Sequence, residues 1–196
     1  MSVLLSIDLS TTNTGWAKFD LASKKLLTYG DVTPDSKGLS AMVYPHQQLE
    51  KIRRLASKLL TLLDKSVTII VIEEVNRGKN RLGQKMLDAA HFMLLDRMSE
   101  EQRKKVVYVD SDGATGWRSK TGLGLQLSTQ DRLRNKALAK LNKRLPKGKK
   151  VRKTNIKALA MSFVNKTYGT NFSKKKDEDI CDAIGLGHYY VHIRMK

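Results

Sequence analysis

A single cysteine, Cys181, leaves the chain unable to close an internal disulfide and without a thiolate cluster for a soft metal. Four scattered histidines have no zinc-type spacing. No stretch reaches the roughly 18 apolar residues that a membrane helix requires. The opening Met1-Ser2-Val3-Leu4-Leu5-Ser6-Ile7-Asp8 has no basic segment ahead of its short apolar run, so it does not read as a secretion signal. These absences predict a cytosolic protein. Acidic residues are also scarce. There are 19 Asp+Glu against 37 Lys+Arg, a net charge of +18. Such a surface steers polyanions toward it, and nucleic acid is the leading partner. The bland reading of the same excess is a basic surface without a specific partner.

What is present fits one α/β domain over residues 1–196. Residues 3–9 read as a strand buried on both faces, followed by the polar turn Ser10–Gly15 and strands at 16–21 and 25–32. Leu49, Ile52, Leu55, Ala56, Leu59, Leu60 and Leu63 recur at helical spacing and predict a helix over 46–64. The β-branched run 67–73 predicts a central parallel strand. A helix over 80–98 and a strand at 106–109 follow. Residues 113–128 are rich in Gly, Ser and Thr and read as a loop. Helices are then predicted over 129–143, 154–168 and from 178 onward, with Pro146-Lys147-Gly148 as a break. Between Arg132 and Lys157 there are twelve Lys+Arg and no acid.

Four carboxylates stand out by position. Asp8 and Glu73 end otherwise apolar strands, and Asp179 and Asp182 share one face of the last helix. Carboxylates among apolar residues are costly to bury unless something pairs with them, and a shared hard cation such as Mg²⁺ or Mn²⁺ suits oxygen-only ligands. Each also has a plain structural alternative. Asp8 can cap its turn, Glu73 can pair with Arg77, and Asp179 can favour a helix N-terminus.

Three segments resemble the RuvC family of Holliday junction resolvases, its phage-encoded branch in particular. They are Ile7-Asp8-Leu9-Ser10-Thr11-Thr12-Asn13-Thr14-Gly15-Trp16-Ala17, Val71-Ile72-Glu73-Glu74-Val75 with Lys79-Asn80 and Leu82-Gly83-Gln84, and Asp179-Ile180-Cys181-Asp182-Ala183-Ile184 with Gly187-His188. The resemblance implies a ribonuclease-H-like fold within the retroviral integrase superfamily: a mixed five-stranded sheet flanked by helices, with a basic insertion over about 113–150. It implies Mg²⁺-dependent cleavage of four-way DNA junctions by paired nicks, with Asp8, Glu73, Asp179 and Asp182 holding two Mg²⁺ ions, for which Mn²⁺ can substitute. It also implies a catalytic contact from Lys153, a homodimer, a role in DNA recombination and repair, and host-cell cytoplasm as the location of a phage-encoded member. Two departures stand against it: Leu9-Ser10 replaces the family's Pro-Gly, and Asn76 occupies a position often aromatic in bacterial members. Glu74 becomes the ligand if the register slips by one.

Candidate DNA contacts are Arg118, Lys120, Arg132, Arg134, Lys136, Lys149, Lys150, Arg152 and Lys153, which would track phosphates rather than read bases. Some of them can equally lie on a solvated helix face. Trp117 either stacks on an unpaired base or closes a core edge. His188 reads as a helix residue packed at the domain edge, and Gly185 and Gly187 would let the last helix approach the sheet closely. The face Met86, Leu87, Ala90, Met93 and Leu94 is a candidate dimer interface or core. Rival readings are a broader branch or flap endonuclease, a catalytically silent nucleic-acid-binding protein, and a sugar-kinase or actin-like ATPase. The last resembles the chain through the hairpin Asp8–Gly15 but requires two copies of the fold, and the length suits one.

Overall fold

A computed structural model of the protein describes residues 1–74, 81–111, 115–151 and 153–195, apart from the side chains of Arg81 and Lys147. Arg152, Asn76, Arg77 and the segment Val75–Asn80 of the resemblance lie outside the described residues.

Five strands form one mixed sheet in the order β3-β2-β1-β4-β5. They are β1 (Val3–Asp8), β2 (Thr14–Asp20), β3 (Leu26–Val32), β4 (Val67–Glu73) and β5 (Val106–Val109). β1, β2 and β3 pair antiparallel, while β1–β4 and β4–β5 are parallel. Strand alternation divides the core into two layers. Val3, Leu5, Ile7, Ile70 and Ile72 face α1 (His46–Leu60) and α2 (Arg81–Arg97). Leu4, Ala17, Phe19 and Val71 face the other side, which is covered by α5 (Ile156–Tyr168) and α6 (Glu178–Tyr189).

The predicted elements are present with shifted ends, and two of the shifts have a visible local setting. α1 stops at Leu60, where Leu62 and Leu63 bond the carbonyls of Leu59 and Leu60 in tighter turns, and Asp64 then accepts the Ser66 backbone N–H at 2.8 Å and turns the chain into β4. α5 starts at Ile156, where the Asn155 side chain accepts the Ala158 N–H at 2.7 Å. One short helix, α3 (Glu100–Lys104), was not read from the sequence, although its signature is there: Ser99 and Gln102 form a reciprocal capping box. Among the described residues of 113–128 there is no helix or strand, as predicted.

α4 (Thr129–Asn142) buries none of its residues. It is tied instead to the chain that follows it. Asn135 pairs with both backbone groups of Thr154, at 2.6 and 3.0 Å, and Asn142 pairs likewise with Val151, at 2.8 Å each. The basic stretch therefore folds back on itself as a helix with a return strap, leaving its described lysines and arginines from Arg132 to Lys153 in water.

α6 lies across β1 and β2, and the residues from Ile180 to Gly187 are all buried. Ser6 in β1 donates to the Ala183 carbonyl at 2.8 Å. Gly187 makes the crossing possible: a Cβ there would sit 2.3 Å from the Phe19 ring and 2.6 Å from the Ser6 hydroxyl. The candidate interface face of α2 turns out to be core. Ala90 and Leu94 are buried, and Met86, Leu87 and Met93 pack against the same layer. No helix among the described residues is long and apolar enough to cross a membrane.

Candidate active site

Asp8 and Glu73 end two adjacent parallel strands, just beyond the paired Ile7 and Ile72. The first two turns of α6 bring Asp179 and Asp182 over these ends. Gly15 sets how close they come. It pairs with Asp8 across β1–β2, and a Cβ on it would lie 1.9 Å from the Asp179 carbonyl oxygen and 2.7 Å from the Ile180 nitrogen. Only a residue without a side chain admits the helix backbone at that distance.

The four carboxylates are thus gathered from three distant segments, as the sequence predicts. Two cations, however, separate them. The Arg118 Nη2 lies 3.0 Å from Asp182 Oδ2 and 3.2 Å from Glu73 Oε2, and its Nη1 donates to Glu73 Oε1 at 3.3 Å. The Lys157 Nζ donates to Asp179 Oδ1 at 2.8 Å and stands 3.6 Å from Asp182 Oδ2. Asn13 completes the set, donating to Asp179 Oδ2 at 3.2 Å while its own carbonyl accepts from Thr33 at 3.0 Å. With the two cations interposed, no group of three or more His, Cys, Asp or Glu converges on a single metal position among the described residues.

Burial dominates the electrostatics. It pushes the Asp8 carboxyl well above the ordinary carboxylate range, and the charges of Glu73 and Asp182 push it further. Burial also raises Asp182 to about 6, against the pull of Arg118 and Lys157. Burial opposes the Lys157 ammonium, yet the bond to Asp179 and the charge of Asp182 hold its pKa above the usual lysine value. Four carboxylates facing two cations leave the cluster short of positive charge. Asp182, 1% exposed, illustrates the shortage. Neither of its oxygens has a hydrogen-bond partner of good geometry, although the guanidinium stands 3.0 Å from Oδ2. Orphaned, buried, oxygen-only donors suit a hard divalent cation.

A compact loop delivers Arg118. The Trp117 and Arg118 backbone N–H groups bond the carbonyls of Asp110 and Ser111 just after β5, at 2.9 and 3.1 Å. Trp117 is fully buried, so it closes the core edge and has no face free for a base. Its Nε1 donates to Glu73 Oε2 at 2.9 Å, and the guanidinium lies 4.2 Å from its ring centroid.

The sequence reading assigned Arg118 to the DNA surface, whereas its side chain is 12% exposed and turned toward the carboxylates. The lysine that reaches them is Lys157. Lys153, the predicted catalytic lysine, is exposed, as are Lys120, Arg132, Arg134, Lys136, Lys149 and Lys150. Asn13 and Lys157 were not read as site residues, and Trp117 was read only as a base-stacking or core-edge ring. Of these, Lys157 carried a faint signal, as the one lysine of the basic run lying in the first turn of a helix that packs on α6. A cavity of about 290 Å³, lined by Arg118, Leu125, Arg132 and Ile156 among others, lies between Arg118 and the start of α4. His188 is half-buried and hydrogen-bonded to the Tyr168 hydroxyl at 2.7 Å, which is a packing role.

No protein-family model matches the chain, and no curated protein matches it by sequence. Solved structures do. RuvC of Thermus thermophilus bound to a Holliday junction substrate aligns over 100% of this chain and 96% of its own, at TM-score 0.51 and 11% identity. A second structure of Thermus thermophilus RuvC aligns over 98% of this chain and 96% of its own, at TM-score 0.50 and 14% identity. At such identity the likeness concerns architecture: the chain has the ribonuclease-H-like fold of RuvC, a mixed five-stranded sheet flanked by helices.

Proposed function

We propose that the protein is a divalent-metal-dependent endonuclease that resolves four-way DNA junctions. The observation that carries this reading is the convergence of Asp8, Glu73, Asp179 and Asp182 at one end of the sheet in a chain of net charge +18. The solved relative bound to a Holliday junction supports the choice of substrate.

Asp8, Glu73, Asp179 and Asp182 would hold two Mg²⁺ ions, with Mn²⁺ as a substitute. Bound there, such ions supply Lewis acidity at the scissile phosphate and lower the pKa of water. The protein's own groups do the rest. Asn13 and Lys157 hold the Asp179 carboxylate in orientation, and the Trp117 indole N–H does the same for Glu73. Arg118 and Lys157 put positive charge where a phosphate's negative charge would arrive. The exposed cations of α4 and its return strap, with Lys120 and Lys153, track the DNA backbone. Arg152 belongs to the same basic stretch in sequence. A junction has two strands to cut symmetrically, so a homodimer with two equivalent sites fits paired nicking.

The test is an end-labelled synthetic four-way junction beside a matched duplex and a flap, each incubated in Mg²⁺ or in EDTA. Paired, symmetric, Mg²⁺-dependent nicks near the crossover are expected, and Asp8→Asn should abolish them while still binding the junction. Equal cleavage of flap and junction would make the protein a general branch nuclease. Tight binding with no cut in any condition would refute the nuclease reading.

A further inference from the structure

On its Asp182 side the Arg118 guanidinium is not bonded as a structural salt bridge should be. A buried ion pair offsets the cost of its desolvation only when hydrogen bonds satisfy the remaining lone pairs and protons. Here Arg118 Nε and both oxygens of Asp182 are buried without a hydrogen-bond partner, although charge and carboxylate stand 3.0 Å apart. Toward Asp182 the positive charge is in place while the directional bonds are missing; the guanidinium's carboxylate hydrogen bond goes from Nη1 to Glu73 Oε1 at 3.3 Å. Arg118 also has somewhere to go, since it lines the 290 Å³ cavity that opens toward Arg132. Its backbone is anchored by the Ser111 carbonyl, so a change of side-chain rotamer would suffice.

We propose that Arg118 is a resident counter-ion of the carboxylate cluster, standing between Glu73 and Asp182 so that a divalent ion binds only against its charge. This rests on the divalent-ion reading of the four carboxylates. Lys157 plays the same part more weakly at Asp179. At 41% exposure its ammonium is screened by water, whereas the Arg118 side chain is 12% exposed. The two cations make the free protein a poor metal binder, and the ranking between them follows from burial.

Mn²⁺ binding to the DNA-free protein reads this directly, by the paramagnetic resonance signal of unbound Mn²⁺ or by calorimetry, with no cleavage involved. Arg118→Gln removes the charge and keeps a polar side chain. It should bind Mn²⁺ at least about tenfold more tightly than the wild type, roughly 1.4 kcal/mol. Arg118→Lys, which keeps a charge, should stay within a few-fold of the wild type. Lys157→Gln should tighten binding by less than Arg118→Gln. The inference is overturned if wild type binds Mn²⁺, Asp182→Asn loses it, and Arg118→Gln, shown to be folded by its urea transition, binds no more tightly than wild type. Should Arg118→Gln fail to fold, Lys157→Gln decides: no gain there overturns the inference as well. If no variant binds Mn²⁺ even at millimolar concentration, the divalent-ion reading itself falls and takes the inference with it.

Discussion

Gly15→Ala tests how the site is assembled. The new Cβ would lie 1.9 Å from the Asp179 carbonyl oxygen, 2.3 Å from its carbon and 2.7 Å from the Ile180 nitrogen. All three obstacles are backbone in the first turn of α6, so no rotamer change relieves them. Ordinary contact begins near 3.4 Å. The helix end must therefore retreat by more than an ångström, or β2 must bend. Overpacking in a core costs about 1–3 kcal/mol where side chains can adjust. With rigid backbone on both sides we expect at least about 3 kcal/mol, a fall in Tm of roughly 6–12 °C for a chain of this size. Gly30→Ala is the matched control. It lies opposite Trp16 on the next strand, where a Cβ would meet only that side chain, at 3.0–3.3 Å. Its cost should stay under about 1 kcal/mol. Urea unfolding followed by circular dichroism gives both values. The retreat also carries Asp179 and Asp182 away from Asp8, and a shift of about 1 Å at a catalytic group can cost a hundredfold in rate. Gly15→Ala within about 0.5 kcal/mol of wild type, with junction cleavage intact, would refute the claim that this close approach builds the site.

Two further outcomes are expected. Replacing Lys149, Lys150 and Lys153 together by Ala should weaken DNA binding at least about tenfold near 0.1 M salt and make the plot of log affinity against log salt shallower by about 2–3; an unchanged slope would move DNA contact off the return strap. Stability should also respond to pH through His91. Burial lowers its pKa to about 4, with Asp88 opposing, so its neutral form is the one the fold retains. The unfolded chain takes up the proton near 6.5, and this contribution, full above that pH, is lost as pH falls toward about 4. His91→Gln should flatten the loss between those values by about 2 kcal/mol. Asp182, raised to about 6, acts in the opposite sense, so wild type and variant must be compared at each pH. Parallel curves would sink the assignment.

Much of the architecture was legible because burial is periodic and local. The β-branched run 67–73 could only be a covered strand, and the spacing of Ile52, Leu55, Ala56 and Leu59 could only be one helix face. Asp8 and Glu73 stood out for a related reason: a carboxylate ending an apolar strand breaks the pattern around it. The short helix Glu100–Lys104 was missed, although Ser99 and Gln102 spell its cap. The face of α2 was ambiguous from spacing alone, since core and interface have the same periodicity.

The sequence by itself thus determined the order of elements apart from α3, the positions of the four carboxylates along the chain and the excess of positive charge. Tertiary structure alone decided what stands among those carboxylates. That Arg118 rather than a solvated neighbour enters the cluster depends on where the loop after β5 returns, and that Trp117 is buried depends on the same return. That Lys157, not Lys153, reaches Asp179 depends on how α5 packs against α6. Apart from the place of Lys157 in the first turn of its helix, none of these has a period or a spacing to betray it. They follow from backbone bonds and packing between residues far apart in the chain, where a displacement of one side chain exchanges a solvated charge for a buried ion pair.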